Sequence, residues 1–162
     1  MGAVIQGHEG NPVAATEAGE LKVEVRKDVA VYSLSGTYAA SAGDTIIHIA
    51  NTGDNTIVID KVVLANTALS AYVAFRPVAA TIAGTGKTAN AIDNGASTVL
   101  NATFTEDETG NSQANVIRQG SMAADQEVEF APGWTVGFGQ ELGIDLIAAG
   151  TCRYTIEFRV EE

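Results

Sequence analysis

The sequence predicts an all-β protein, a β-sandwich of jelly-roll type preceded by an extended N-terminal arm. Three observations predict it. The dominant hydrophobic period is two rather than 3.6. Glycine-bearing turn chemistry punctuates the chain at Gly43, Gly53, Gly95, Gly110, Gly120, Gly133 and Gly150. Helix signals are scarce and no internal repeat is present, so about eight to ten short, irregularly spaced strands fit two packed sheets better than a barrel or an α/β fold.

Residues 1–19 hold little core material beyond Val4 and Ile5 and are rich in Gly, Asn and Pro. They read as an arm, which either adds an edge strand to its own sheet or lies across a neighbouring subunit by strand addition. In Glu20–Val25, Leu21, Val23 and Val25 alternate with Glu20, Lys22 and Glu24, the pattern of a strand with one wet face. Thr45–Ala50 and Thr56–Leu64 are more continuously apolar and β-branched, as in strands covered on both faces. Between them, Asn51-Thr52-Gly53-Asp54-Asn55 has tight-turn composition, so the pair reads as a hairpin.

Ala65–Ala74 is the one window with some helix propensity, but Ser70, Tyr72, Val73 and Phe75 pull it toward strand, leaving room for one short turn. Shorter strands are predicted at Ala71–Phe75, Thr98–Phe104, Ala114–Arg118, Glu127–Ala131, Trp134–Phe138 and Leu142–Ala148. The clearest strand is the last: Tyr154, Ile156, Phe158 and Val160 alternate with Arg153, Thr155, Glu157 and Arg159. From Ala83 to Gln113 small polar residues dominate, which reads as long loops around one strand and as a functional or interaction surface. The predicted organisation is therefore an arm over residues 1–19 and a single sandwich domain over 20–162, with a long loop region around 83–113.

A chain of 162 residues with 46% hydrophobic residues can bury a core without disulfides or a structural metal. The formal net charge of -11 argues against nucleic acid or an anionic membrane as partner, because both would be repelled by the average surface. Met1–Thr16 lacks a basic start followed by an apolar stretch and is not read as a secretory signal. The charge-free stretch Val62–Phe75 is too short to span a bilayer. A single Cys152 cannot form an internal bridge and fits synthesis in a reducing cytoplasm.

The motifs that suggest chemistry fail on inspection. Gly84-Thr85-Gly86-Lys87-Thr88 resembles the end of a phosphate-binding loop, but the glycine that loop requires at position 81 is Thr81. The glycines of Gly133-Trp134-Thr135-Val136-Gly137-Phe138-Gly139 lack dinucleotide-binding spacing and read as an irregular strand, with Trp134 a core aromatic or an interface anchor. His8, His48 and Cys152 have no ligand spacing. Glu106-Asp107-Glu108-Thr109-Gly110-Asn111 lacks the alternation of a calcium loop and reads as a solvated acidic turn. Parity puts Cys152 with Tyr154 and Ile156 on the apolar face, where thiols are inert. No catalytic, cofactor-binding or metal residues are predicted, and the chain is read as a non-enzyme.

The run Ala3–Val23, with Gly7, Gly10-Asn11-Pro12 and Gly19-Glu20-Leu21, followed by Gly43–Leu64, resembles small virion proteins of tailed bacteriophages. The likeness covers roughly the first 65 residues and is one of pattern rather than an invariant motif. It implies a jelly roll that decorates or cements the head or forms part of the tail, and it implies no catalytic residues. The function expected on this basis is a capsid decoration or cement protein, assembled from host cytoplasm into the virion. Its partner would be the major capsid protein and its favoured state a homotrimer. The alternative is a carbohydrate- or receptor-binding sandwich on a phage fibre or tail, against which stands the scarcity of aromatic residues (6%).

Overall fold

The computed structural model describes residues 14–15, 21–22, 29–76, 84–92, 100–111, 113 and 115–161. Among these residues fourteen strands run in chain order: β1 (Ala14–Ala15), β2 (Leu21–Lys22), β3 (Ala30–Ala40), β4 (Thr45–Asn51), β5 (Thr56–Asn66), β6 (Ser70–Phe75), β7 (Thr85–Lys87), β8 (Asn90–Ala91), β9 (Ala102–Glu106), β10 (Val116–Met122), β11 (Glu127–Phe130), β12 (Trp134–Val136), β13 (Glu141–Leu146) and β14 (Gly150–Glu161). No helix occurs among the described residues.

The strands form two antiparallel sheets. The first has the order β11-β5-β14-β3-β8, with β12 also on β5, and the second the order β10-β6-β13-β4-β9-β7. Tracing the chain through β3, β4, β5, β6, β10, β11, β13 and β14, it changes sheet at every step except β6 to β10. The four-strand cores β3-β14-β5-β11 and β4-β13-β6-β10 are the two sheets of a jelly roll, as expected from the sequence. The segment between β6 and β10 adds β9 and β7 to the free side of β4, and β8 to the free side of β3. The loop region around 83–113 thus contains two short strands besides β9, and the segment predicted as Thr98–Phe104 is a strand over Ala102–Glu106.

Period-two patterning builds the core. Tyr154, Ile156, Phe158 and Val160 are buried on β14, and Leu34 and Tyr32 lie opposite Ile156 and Phe158 on β3. From the second sheet, Ile47, Ile49, Ala74, Leu142 and Ile144 fill the other side. Aromatic rings cross the interface: Phe104 on β9 stacks on Phe158 at 5.4 Å, and Tyr72 on β6 stacks on Phe130 of β11 at 5.4 Å. Trp134 meets Phe130 edge-on at 5.7 Å and packs against this core.

Besides β3, for which the sequence predicts no strand, three features differ from the sequence expectation. The Asn51–Asn55 turn joins β4 of the second sheet to β5 of the first, so it is a corner between sheets and not a hairpin. The buried Asn51 holds that corner: its Nδ2 donates to Asn55 O (2.6 Å) and Val136 O (2.8 Å), and its Oδ1 accepts from Gly53 N (3.0 Å). On β5 the continuous apolar run reflects a bulge. Phe158 pairs with Ile59 and Glu157 with Lys61, so Asp60 is extra and the buried set switches from Ile57 and Ile59 to Val62 and Leu64. Finally, Gly120 lies inside β10 opposite Tyr72, where a Cβ would meet the Tyr72 ring at 2.7 Å, and not at a turn.

Of the predicted strand Glu20–Val25, the described residues Leu21 and Lys22 pair with Ala15 and Ala14 in a two-stranded sheet separate from the sandwich. The rest of that segment, and residues 1–13 and 16–19 of the arm, lie outside the described residues, as does Gly95.

Candidate functional site

β4 and β13 carry polar side chains on the face of the second sheet that points away from the core. His48 pairs across the sheet with Gly143 and Thr105, and Asp145 with Thr45 and Val73. The turn after β9 folds back over this face and is fastened by Thr45 N donating to Glu108 O at 2.9 Å. The acidic run Glu106–Asn111 is therefore not a solvated turn. Glu108 is buried because the backbone bridge between Thr45 and Glu108 presses the turn onto the sheet, and Glu106 because it shares the inward face of β9 with Phe104.

Glu108 is the hub of this cluster. Its carboxylate takes hydrogen bonds from Thr105 Oγ1 and from Asn111 Nδ2 (2.9 Å), and His48 Nδ1 lies 2.8 Å from its Oε2. Burial pushes the Glu108 carboxyl up, but the bonds from Thr105, Asn111 and His48 outweigh it and hold the group below its ordinary range. The other ring nitrogen of His48 lies 3.3 Å from Glu141 Oε2 without hydrogen-bond alignment. Asn111 Nδ2 also donates to Thr45 Oγ1 at 2.8 Å. Beside them Asp145, 1% exposed, accepts from Gln113 Nε2 at 2.8 Å. Burial raises its carboxyl above the usual range.

A second polar link crosses the sandwich interior. Tyr154 on β14 donates to Glu106 Oε2 at 2.9 Å, and Lys87 Nζ on β7 lies 3.1 Å from Glu106 Oε1. Lys87, which sequence placed in a phosphate-loop-like stretch, thus sits on a strand and is spent on a carboxylate.

These clusters fasten structure. The hydroxyls of Thr45 and Thr105 are engaged by Asn111 and Glu108. Cys152 is buried, and desolvation pushes its thiol up to about 11. Among the described residues, no group of three His, Cys, Asp or Glu side chains is arranged to hold a metal ion. His8 lies outside the described residues, and His48 faces carboxylates.

Large apolar side chains are exposed elsewhere, at Val29, Ile92, Val116 and Ile117 and at three turn positions. Leu69 (71% exposed) and Ile147 (46%) project from the β5–β6 and β13–β14 turns, which are joined by Ile147 N to Ala71 O (2.9 Å) and Ala148 N to Ser70 Oγ (3.1 Å). Phe138 (68%) projects from the β12–β13 turn, which Gly139 N ties to Asn51 O at 2.9 Å. β5 runs from the Asn51 corner to the Leu69 turn, so the two apolar tips lie at opposite ends of the sandwich, about 30 Å apart at the usual strand rise. Sequence periodicity placed Phe138 and Ile147 inside the predicted strands Trp134–Phe138 and Leu142–Ala148, but these end at Val136 and Leu146 and leave both side chains in turns.

No family model matches the chain, and no curated protein or solved structure matches it.

Proposed function

We propose that the chain is a non-enzymatic virion structural protein, a decoration or cement protein that binds between major capsid subunits and stabilises the head. The observation that carries this reading is the pair of apolar tips, Leu69 with Ile147 at one end of the sandwich and Phe138 at the other. An isolated exposed Leu needs no explanation, but large apolar side chains at both ends of a stiff body suit a part that bridges two neighbours. The jelly roll supplies the stiffness, and polar clusters such as that around Glu108 pin its long insertion. The acidic balance of 20 Asp and Glu against 9 Lys and Arg keeps the outward surface from aggregating decorated particles. Binding only the assembled lattice would then stabilise it by mass action.

The test is co-sedimentation of the purified full-length protein with DNA-free head shells of tailed bacteriophages, with Leu69→Asp and Phe138→Asp as variants. Saturable pelleting, a raised shell disruption temperature, and loss of both in each variant are expected. Failure to pellet with any shell overturns the head assignment. Retention on host-cell envelopes or glycans instead would favour a fibre or tail module.

A further inference from the structure

β3 is an edge strand that is only half covered. β8 pairs with it at Tyr32 and Ser33, and Ile92 N donates to Val31 O at 2.8 Å. Backbone groups alternate sides along a strand, so Ser35, Thr37 and Ala39 present their N–H and C=O in the same direction as Val31. None of these six groups has a backbone partner on that side among the described residues. Natural edges are guarded by Lys, Pro, bulges or brevity. This one spans Leu34–Ala40 with no charge, no proline and no register shift. An open groove of about 530 Å³ runs from it across the face of the first sheet, lined by Ser35 and Thr37 of β3, Arg153 and Thr155 of β14, Val63 and Ala65 of β5 and Glu127 of β11 among others.

The β1–β2 ribbon poses the complementary problem. Two strands of two residues each belong to neither sheet, and such a ribbon gains independent stability only from a third strand or a packed face. β2 has β1 on one side and, among the described residues, no partner on the other. The sequence around it alternates Leu21, Val23 and Val25 with Glu20, Lys22 and Glu24. Residues 17–25 carry Glu17, Glu20 and Glu24 against Lys22, with Arg26 and Lys27 following directly, and the groove holds Arg153, which has no ion-pair partner among the described residues.

We propose that β2 of one copy adds to the open Ser35–Ala39 edge of β3 in a second copy. The chain's own arm is poorly placed to do this. It enters β3 at Val29, and β8 occupies the edge from Val31 to Ser33 that a segment folding back along its own strand would have to cross. Such an exchange is either reciprocal, giving a two-fold dimer, or runs head-to-tail around a closed ring. This inference does not depend on the capsid reading.

The experiment mixes two full-length proteins with different affinity tags, one Lys22→Cys and the other Thr37→Cys, and treats them with a short bis-maleimide. Cys152 is buried and does not compete. A mixed-tag cross-linked pair is expected, together with an oligomer by light scattering. Thr37→Pro removes one edge donor without touching the β14 side, and at least a tenfold loss of cross-linking with a shift to monomer is expected. Ser35→Lys/Thr37→Lys keeps every backbone donor and serves if the proline variant does not fold. A monomeric parent, cross-linking only within a doubly substituted chain, or an oligomer indifferent to both edge variants overturns the proposal.

Discussion

The ring of Tyr154 occupies the space that a side chain on Gly36 would need: a Cβ at Gly36 would lie 2.5 Å from the Tyr154 ring. The two residues face each other on β14 and β3, and Gly36 is a glycine because its cross-strand partner covers it. Gly36→Ala would therefore act as overpacking, displacing a ring held by its own hydrogen bond to Glu106. A destabilisation of about 1–3 kcal/mol is expected. At roughly 2–4 °C per kcal/mol for a chain of this size, thermal unfolding should reveal it as a lowered Tm.

The Tyr154 hydroxyl supports a second prediction. Tyr154→Phe keeps the ring over Gly36 but deprives buried Glu106 of the donor to Oε2, leaving Lys87 on Oε1 alone. The expected cost is about 1–3 kcal/mol, the range for a buried acceptor left without its partner. Because Tyr154 and Lys87 share one carboxylate, Lys87→Met combined with Tyr154→Phe should depart from additivity by more than about 0.5 kcal/mol in denaturant titrations.

Glu108 and Asp145 give stability opposite dependences on pH. Glu108 is held below its ordinary value of 4.5, so the unfolded state binds more protons than the folded one as pH falls through that window. Its stabilisation is complete above 4.5 and is lost as pH drops through the folded value. Asp145 is raised above 3.8 by burial, so the folded state binds more protons and stability falls as pH rises from 3.8 through its folded value. Glu108→Gln should flatten the acid limb of a Tm-against-pH profile and lower Tm at neutral pH. Asp145→Asn should raise Tm at neutral pH and leave it little changed near pH 3.

The all-β class and the strands with a clean period of two were legible because alternation survives in the sequence: β14 runs over Gly150–Glu161 around the predicted Tyr154–Val160 core. β3 was not legible, although it alternates too. Its inward Ala30, Gly36 and Ala40 are small and its outward Ser33, Ser35 and Thr37 are polar, so the hydrophobic contrast is weak. The corner at Asn51 looked like a hairpin because turn composition is local, whereas which sheet each flanking strand joins depends on partners far away in sequence. The Glu108 cluster was hidden for the same reason. His48 and Glu108 are sixty residues apart, and their meeting follows from β9 pairing with β4.

Cys152 offers a test of the core itself. Sequence parity placed it on the apolar face, and it is fully buried between strands, with its thiol pushed up to about 11 by desolvation. Both accessibility and thiolate fraction therefore oppose reaction at neutral pH. A maleimide or disulfide reagent should modify the native protein only through opening of β14. That strand lies between β3 and β5, which makes the opening close to global unfolding. The expected result is negligible labelling over hours in buffer and prompt labelling of one thiol in denaturant, with a free energy from labelling rates that matches the one from equilibrium unfolding. Labelling faster than that would place β14 outside the cooperative core, which its central position in the first sheet argues against.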